Sequence, residues 1–154
     1  MIQLSVKELG SPTEAQLASF KAYLASNGAE TDAQLTALLR AAMVAVQEWE
    51  DRSLLDETIV LIHAHRADPR APIRLYRSVD TIVSVKDQNG NALAYTRMGN
   101  LLTIEGAARN VEVEYKTKAT EQIRASLEDK VFRLAAAKYD GETPQIINKI
   151  LMEG

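Results

Sequence analysis

The sequence has no cysteine. That removes a disulfide framework, an iron–sulfur cluster, a Cys-ligated zinc site and a thiol nucleophile. It has no surplus of positive charge either. Lys and Arg number 18 against 21 Asp and Glu, a net charge of −3, so no global basic field attracts nucleic acid. No apolar run is long enough to span a membrane. The opening MIQLSVKELGSP has neither the basic flank nor the apolar core of a secretory signal. The expectation is a soluble protein made in the cytoplasm and kept there. Glycine is sparse and scattered (Gly10, Gly28, Gly90, Gly99, Gly106, Gly141, Gly154). These positions build neither a phosphate loop nor a dinucleotide fingerprint. No serine stands in a Gly-x-Ser-x-Gly elbow.

What is there reads as one globular domain. The 154 residues are 46% apolar and 25% charged, average values for such a domain. Ser11-Pro12-Thr13-Glu14 reads as a capping box opening a helix, with Leu17, Phe20 and Leu24 on one face and Asn27-Gly28 as its stop. Thr31-Asp32-Ala33-Gln34 is a second box. Behind it Leu35, Leu38, Leu39, Ala42, Met43, Val46 and Trp49 form one apolar stripe at helical spacing. Trp49 is therefore expected in the core, against a helix carrying Ile123, Leu127, Val131, Leu134, Ala135 and Lys138.

Between these helices the pattern turns to β. Thr58–His65, Ile73–Arg77, Thr81–Lys86, Leu93–Met98, Leu101–Glu105 and the alternating Val111–Tyr115 are strand candidates. Prolines 69 and 72 break the first pair apart. Asn89-Gly90 signals a tight hairpin, because both residues tolerate positive φ. After the strands, Thr120 caps the long helix and Gly141 stops it. Thr143-Pro144 opens a last short helix, Gln145–Met152. The expected fold class is α+β: N-terminal helices, a small antiparallel β-meander, a long C-terminal helix and a short terminal helix.

No catalytic constellation emerges. His63 and His65, at i and i+2 of a strand, offer two metal ligands, but no third lies nearby in sequence. The carboxylate pairs Glu50–Asp51, Asp56–Glu57 and Glu112/Glu114 read as solvated surface. Arg66, Arg70, Arg74 and Arg77 form the one basic cluster, with His65 beside it. They are candidates for salt bridges between subunits or, less in keeping with Asp68 and the lack of interleaved aromatics, for a phosphate backbone. The polar tip Asp87, Gln88, Asn89, Gly90 and Asn91 is a candidate contact loop. Ile146, Ile147, Ile150 and Leu151 lie together on one face of the short terminal helix, with Lys149 at its rim. A helix this short needs a partner surface. Its own domain and an external groove are both open.

The order of elements carries a resemblance. LTALLRAAMVAVQEWEDRSLL is followed by IRLYRSVDTIVSVKDQNGNAL and then by VEVEYKTKATEQIRASLEDKVFRLAAAKYDG. Within these, Pro72-Ile73-Arg74-Leu75, the run Val79–Val85, the junction Val111–Gln122 and Tyr139 carry the pattern. Over Thr31–Gly141 the chain resembles the head–tail connector (adaptor) family of tailed bacteriophages. The extra capped helix at Ser11–Asn27 and Thr117-Lys118-Ala119-Thr120 before the last long helix depart from the family's usual form.

The resemblance implies a non-enzymatic virion structural protein of the neck, without cofactor and assembled in the host cytoplasm. It implies one connector domain over residues 1–141 and a docking tail over 142–154. Its partners would be copies of itself in a ring of twelvefold order set by the portal, the portal protein, a stopper or tail completion protein, and DNA passing through the lumen. Twelve copies at −3 each suit a conduit through which DNA slides rather than sticks. The alternatives are a small accessory binding domain, monomeric or dimeric, and a nucleic-acid module built on Arg66–Arg77.

Overall fold

The computed structural model describes residues 1–24 and 31–153. The expected helix stop at Asn27-Gly28 lies outside them. The chain forms two compact units. The first is Met1–Leu9 with Asp56–Lys118, and the second is Gly10–Leu55 with Ala119–Gly154.

The first unit is all β. Its strands are β1 (Ile2–Leu9), β2 (Glu57–His63), β3 (Ile73–Arg74), β4 (Val79–Asp87), β5 (Tyr95–Met98), β6 (Leu101–Ile104) and β7 (Val111–Thr117). They do not make the expected single meander. They make an antiparallel four-stranded sheet in the order β1-β2-β7-β4 and a three-stranded sheet in the order β3-β6-β5. The break at Pro69 and Pro72 is where the chain leaves the first sheet and enters the second. Ile59, Leu61, Val85, Val111, Val113 and Tyr115 of the larger sheet share one core with Ile73, Leu75, Leu102 and Ile104. Each such aliphatic, fully buried, contributes about 1.5–3 kcal/mol of transfer free energy.

β1 is the strand that sequence reasoning missed. Ile2, Leu4 and Val6 alternate with Gln3, Ser5 and Lys7, which is the strand period. Its register against β2 shifts between Val6 and Glu8. The mark of a β-bulge lies there.

The second unit holds the helices α1 (Glu14–Leu24), α2 (Asp32–Glu50), α3 (Glu121–Tyr139) and α4 (Pro144–Met152). α2 packs on α3, and α4 packs on both. The cap of α1 is Thr13 rather than Ser11. The Thr13 Oγ1 accepts from the Gln16 N–H, and the Thr13 N–H donates to Gln16 Oε1. At α2 the reciprocal box between Thr31 and Gln34 is present as expected. Thr120 likewise caps α3 by accepting from the Ile123 N–H. Gly141 follows α3 at φ 69°, a left-handed position that glycine adopts cheaply.

Trp49 is not in the core. It is 56% exposed, and Gln47 is the buried residue at that end of α2. At 3.6 residues per turn, Trp49 stands roughly 80° from the centre of the buried arc. Asp51 takes a left-handed φ of 53° and ends the helix. The chain then folds back, so that Gln47 Oε1 accepts from the N–H groups of Leu54 and Leu55. A buried side-chain amide is tolerated there because it satisfies the donors of the turn.

Candidate functional site

The candidate surfaces in the first unit begin at the β4–β5 connection. Asp87 organises it. Its Oδ1 accepts from the N–H groups of Asn89 and Asn91, and its carbonyl accepts from the Gly90 N–H. Gly90 stands at φ 81°, which explains glycine at that position. The Asn91 N–H bond, above all, holds the Asp87 carboxyl below its usual range. Gln88, Asn89, Gly90 and Asn91 are all exposed.

Asn110, which sequence reasoning did not single out, joins this tip to the neighbouring loop. Its Nδ2 donates to Gln88 Oε1 at 3.0 Å and its Oδ1 accepts from the His65 N–H at 3.0 Å. An open depression of about 330 Å³ lies beside it, between Ile62, Asp87, Gln88, Asn110 and Glu112. No local motif surrounds Asn110; only register across β2, β7 and β4 brings it to the tip.

The four arginines divide. Arg66 is buried, 3% exposed. Its guanidinium donates to the carbonyls of Ala108 at 2.9 Å, Pro69 at 3.4 Å and Ala71. Arg109 answers by donating to the Arg66 carbonyl at 3.0 Å. Arg66 is thus a clamp between two loops of its own unit, and burial lowers its affinity for a proton. Arg77, at φ 71°, places its Nε 3.7 Å from the buried Glu57 carboxylate. Arg70 and Arg74 are the exposed pair, and Arg74 lies over the Tyr76 ring at 4.8 Å.

The other polar candidates also resolve. β2 ends at His63, and His65 turns away at φ 53°. The two imidazoles therefore do not stand on one strand face. His63 is shifted towards its neutral form by desolvation and by Arg66. Among the described residues no group of three or more His, Cys, Asp or Glu is arranged to hold a metal ion. The carboxylates are not uniformly solvated surface. Glu57 is 4% exposed, and Glu50 Oε1 accepts from Lys130 Nζ at 2.5 Å. No helix among the described residues is long and apolar enough to cross a membrane.

In the second unit α4 shows two faces. Ile150 is buried, Ile147 and Leu151 are half-buried, and Ile146 and Met152 are 43% and 68% exposed. Lys149 is exposed at the rim. Pro144 takes the first helical turn, but the Thr143 side chain makes no cap bond. The far end is held instead. Lys130 Nζ donates to the Glu153 carbonyl at 2.6 Å, and Arg133 pairs with the Glu153 carboxylate.

No family model matches the sequence, and no curated protein matches it. The fold does have solved counterparts. A chain in the neck of the empty gene transfer agent (GTA) particle, computed with C6 symmetry, superposes with a TM-score of 0.64 at 19% identity, over 94% of this chain and 93% of that one. The fold is that of a chain in the neck of a gene transfer agent particle. A chain in the neck of the native particle, computed with C12 symmetry, matches with a TM-score of 0.58 at 18% identity, over 94% and 92% of the two chains. A chain of the native gene transfer agent virion gives 0.64 at 20% identity, over 90% and 84%. Likeness over nearly the whole length of both chains covers the β unit and the helical unit together. At these identities it is a likeness of fold.

Proposed function

We propose that this chain is a non-catalytic structural protein of the neck of a phage-like particle. Copies form a ring between the portal and the stopper or tail, and DNA passes through its lumen. One observation carries this reading: the match of fold to gene transfer agent neck chains over more than nine-tenths of both partners. Those necks were computed with sixfold and twelvefold symmetry, and a ring of twelve follows for this chain by analogy.

The surfaces agree with such a role. The Asp87–Asn91 tip is rigid by its own hydrogen bonds yet exposed, which suits contact with a neighbour, the stopper or the lumen. Of the four clustered arginines, Arg70 and Arg74 are the exposed pair and suit contacts between subunits. The half-covered face of α4, with Ile146, Ile147, Ile150, Leu151 and Lys149, is the docking element towards the portal or an adjacent subunit. The net charge of −3 disfavours stable attachment to passing DNA.

Sedimentation of the purified chain with and without portal rings, followed by negative-stain imaging, tests the reading. A ring seated on the portal is the expected result. A monomer at every concentration, in both mixtures, rejects it in favour of a small accessory binding domain. A salt-dependent DNA shift, absent on this reading, is the mark of a nucleic-acid module.

A further inference from the structure

The two sheets of the first unit are unequal, and one strand is left over. Register lays the residues of the larger sheet in rows that share a face. Val6 is opposite Ile59, which is opposite Tyr115, and Leu4 is opposite Leu61, which is opposite Val113. Along these rows Tyr115, Val113, Leu61 and Ile59 are 0–3% exposed, whereas Val6 and Leu4 are 50% and 41% exposed. Ile2, opposite His63, is 47% exposed. The core face therefore continues onto β1 and loses its cover within one strand spacing, about 4.8 Å. The covering layer has three strands against four. It leans towards β4, since Arg97 Nη2 donates to the Asp80 carbonyl and Ala92 bridges Lys86. The front of β1 is thus left without a cover.

The same unit carries a second exposed apolar patch. Met98 and Leu101 face each other across the β5–β6 hairpin, on the side opposite buried Leu102, and are 83% and 50% exposed. Arg74 of β3 stands opposite Leu101, exposed and with its guanidinium over the Tyr76 ring, so the hairpin patch has a cation at its border. Lys7 projects to the back of β1 and pairs with Glu114 at 3.1 Å, and Arg97 donates to the Gly99 and Asp80 carbonyls. β1 is also the terminal strand of its sheet, so its outer edge is open to a further chain.

We propose that the front of β1 (Ile2, Leu4, Val6) seats a second copy of this chain, which lays the Met98–Leu101 end of its β5–β6 hairpin over it. This rests on the ring reading and names the contact that closes the ring. Two different patches on one molecule make the contact head-to-tail, and a head-to-tail contact whose rotation closes makes a ring. A two-fold pairing of β1 with β1 leaves Met98 and Leu101 in water. Each copy in a ring uses both patches.

The absence of cysteine makes the test clean. Leu4→Cys and Met98→Cys are made singly and together, and each protein is treated with a short bis-maleimide under ring-forming conditions. The double variant is expected to give a ladder from dimer upwards, and each single variant to stay monomeric on a denaturing gel. Separately, Leu4→Lys is expected to raise the concentration needed for half-assembly about tenfold or more, with an unchanged melting temperature, as for a central apolar contact. Dimers from Leu4→Cys alone overturn the head-to-tail contact in favour of a two-fold one. Rings that form without a ladder overturn this interface and leave the ring reading intact. A chain that stays monomeric throughout, with and without portal, overturns the ring reading and the interface with it.

Discussion

Tyr115 shows how a single residue joins a sheet to the loop that crosses it. Its ring is fully buried, and its hydroxyl accepts from the Tyr76 N–H at 3.1 Å while donating to the Tyr76 carbonyl at 3.2 Å. A hydroxyl that does both satisfies two backbone groups inside a core. Tyr115→Phe strands them both and is expected to cost about 1–3 kcal/mol in denaturant melts. Trp49 is the opposite case. Its 56% exposure means that Trp49→Ala creates no cavity. The expected loss is below about 0.5 kcal/mol by the same measurement, where a core tryptophan costs about 3–5. Gln47, not Trp49, is the residue on which the end of α2 depends.

Among the elements, α4 is held at its far end by charge. Lys130 Nζ joins Glu50 Oε1 to the Glu153 carbonyl, with its side chain 10% exposed. Lys130→Met keeps the apolar stem and removes the donor. It leaves a part-buried carboxylate and a carbonyl unpaired, and is expected to lower stability by about 1–3 kcal/mol. Amide exchange in α4 should speed up more than in α2. The hydrogen bond from Arg133 holds the Glu153 carboxyl below its ordinary 4.5. A depressed carboxyl stabilises the folded form above its unfolded pKa and loses that contribution as pH falls through the lowered value. Exchange protection of α4 is therefore expected to be flat from pH 5 to pH 8 and to fall only below about 4.5. The contribution is small, because the pair is exposed and screened.

For the whole molecule, the test of α4 is its removal. Deleting residues 142–154 strips the cover from the neighbours of Ile150, takes the Glu153 carbonyl from Lys130 and takes the Glu153 carboxylate from Arg133. The chain is expected to lose about 2–5 kcal/mol, as for a large aliphatic taken from a core, and to melt earlier in calorimetry. A tail that served only as an external anchor leaves the melting temperature unchanged. The first unit answers differently to change. Two residues inserted between Asn89 and Gly90 lengthen an exposed tip that packs no core, and the melting temperature is expected to hold.

Local chemistry made much of this chain legible. The Thr31 and Thr120 caps, Gly141, the Asn89-Gly90 turn and the alternation from Val111 act within a few residues of themselves, so their spacing suffices. β1 was legible too, in the alternation of Ile2, Leu4 and Val6 with polar residues, but its partner lies more than fifty residues away in β2. The rest belongs to tertiary structure. Nothing local to Arg66 tells that its guanidinium closes on carbonyls at 69, 71 and 108. Nothing in a heptad-like stripe tells that the chain turns back at Leu54 and buries Gln47 in place of Trp49. Periodicity fixes which residues share a face. Which face finds a cover depends on how many strands each sheet has, and that number is set only when distant segments pair. The bare front of β1 is such a case: its apolar pattern is written in the sequence, and its exposure follows from three strands lying over four.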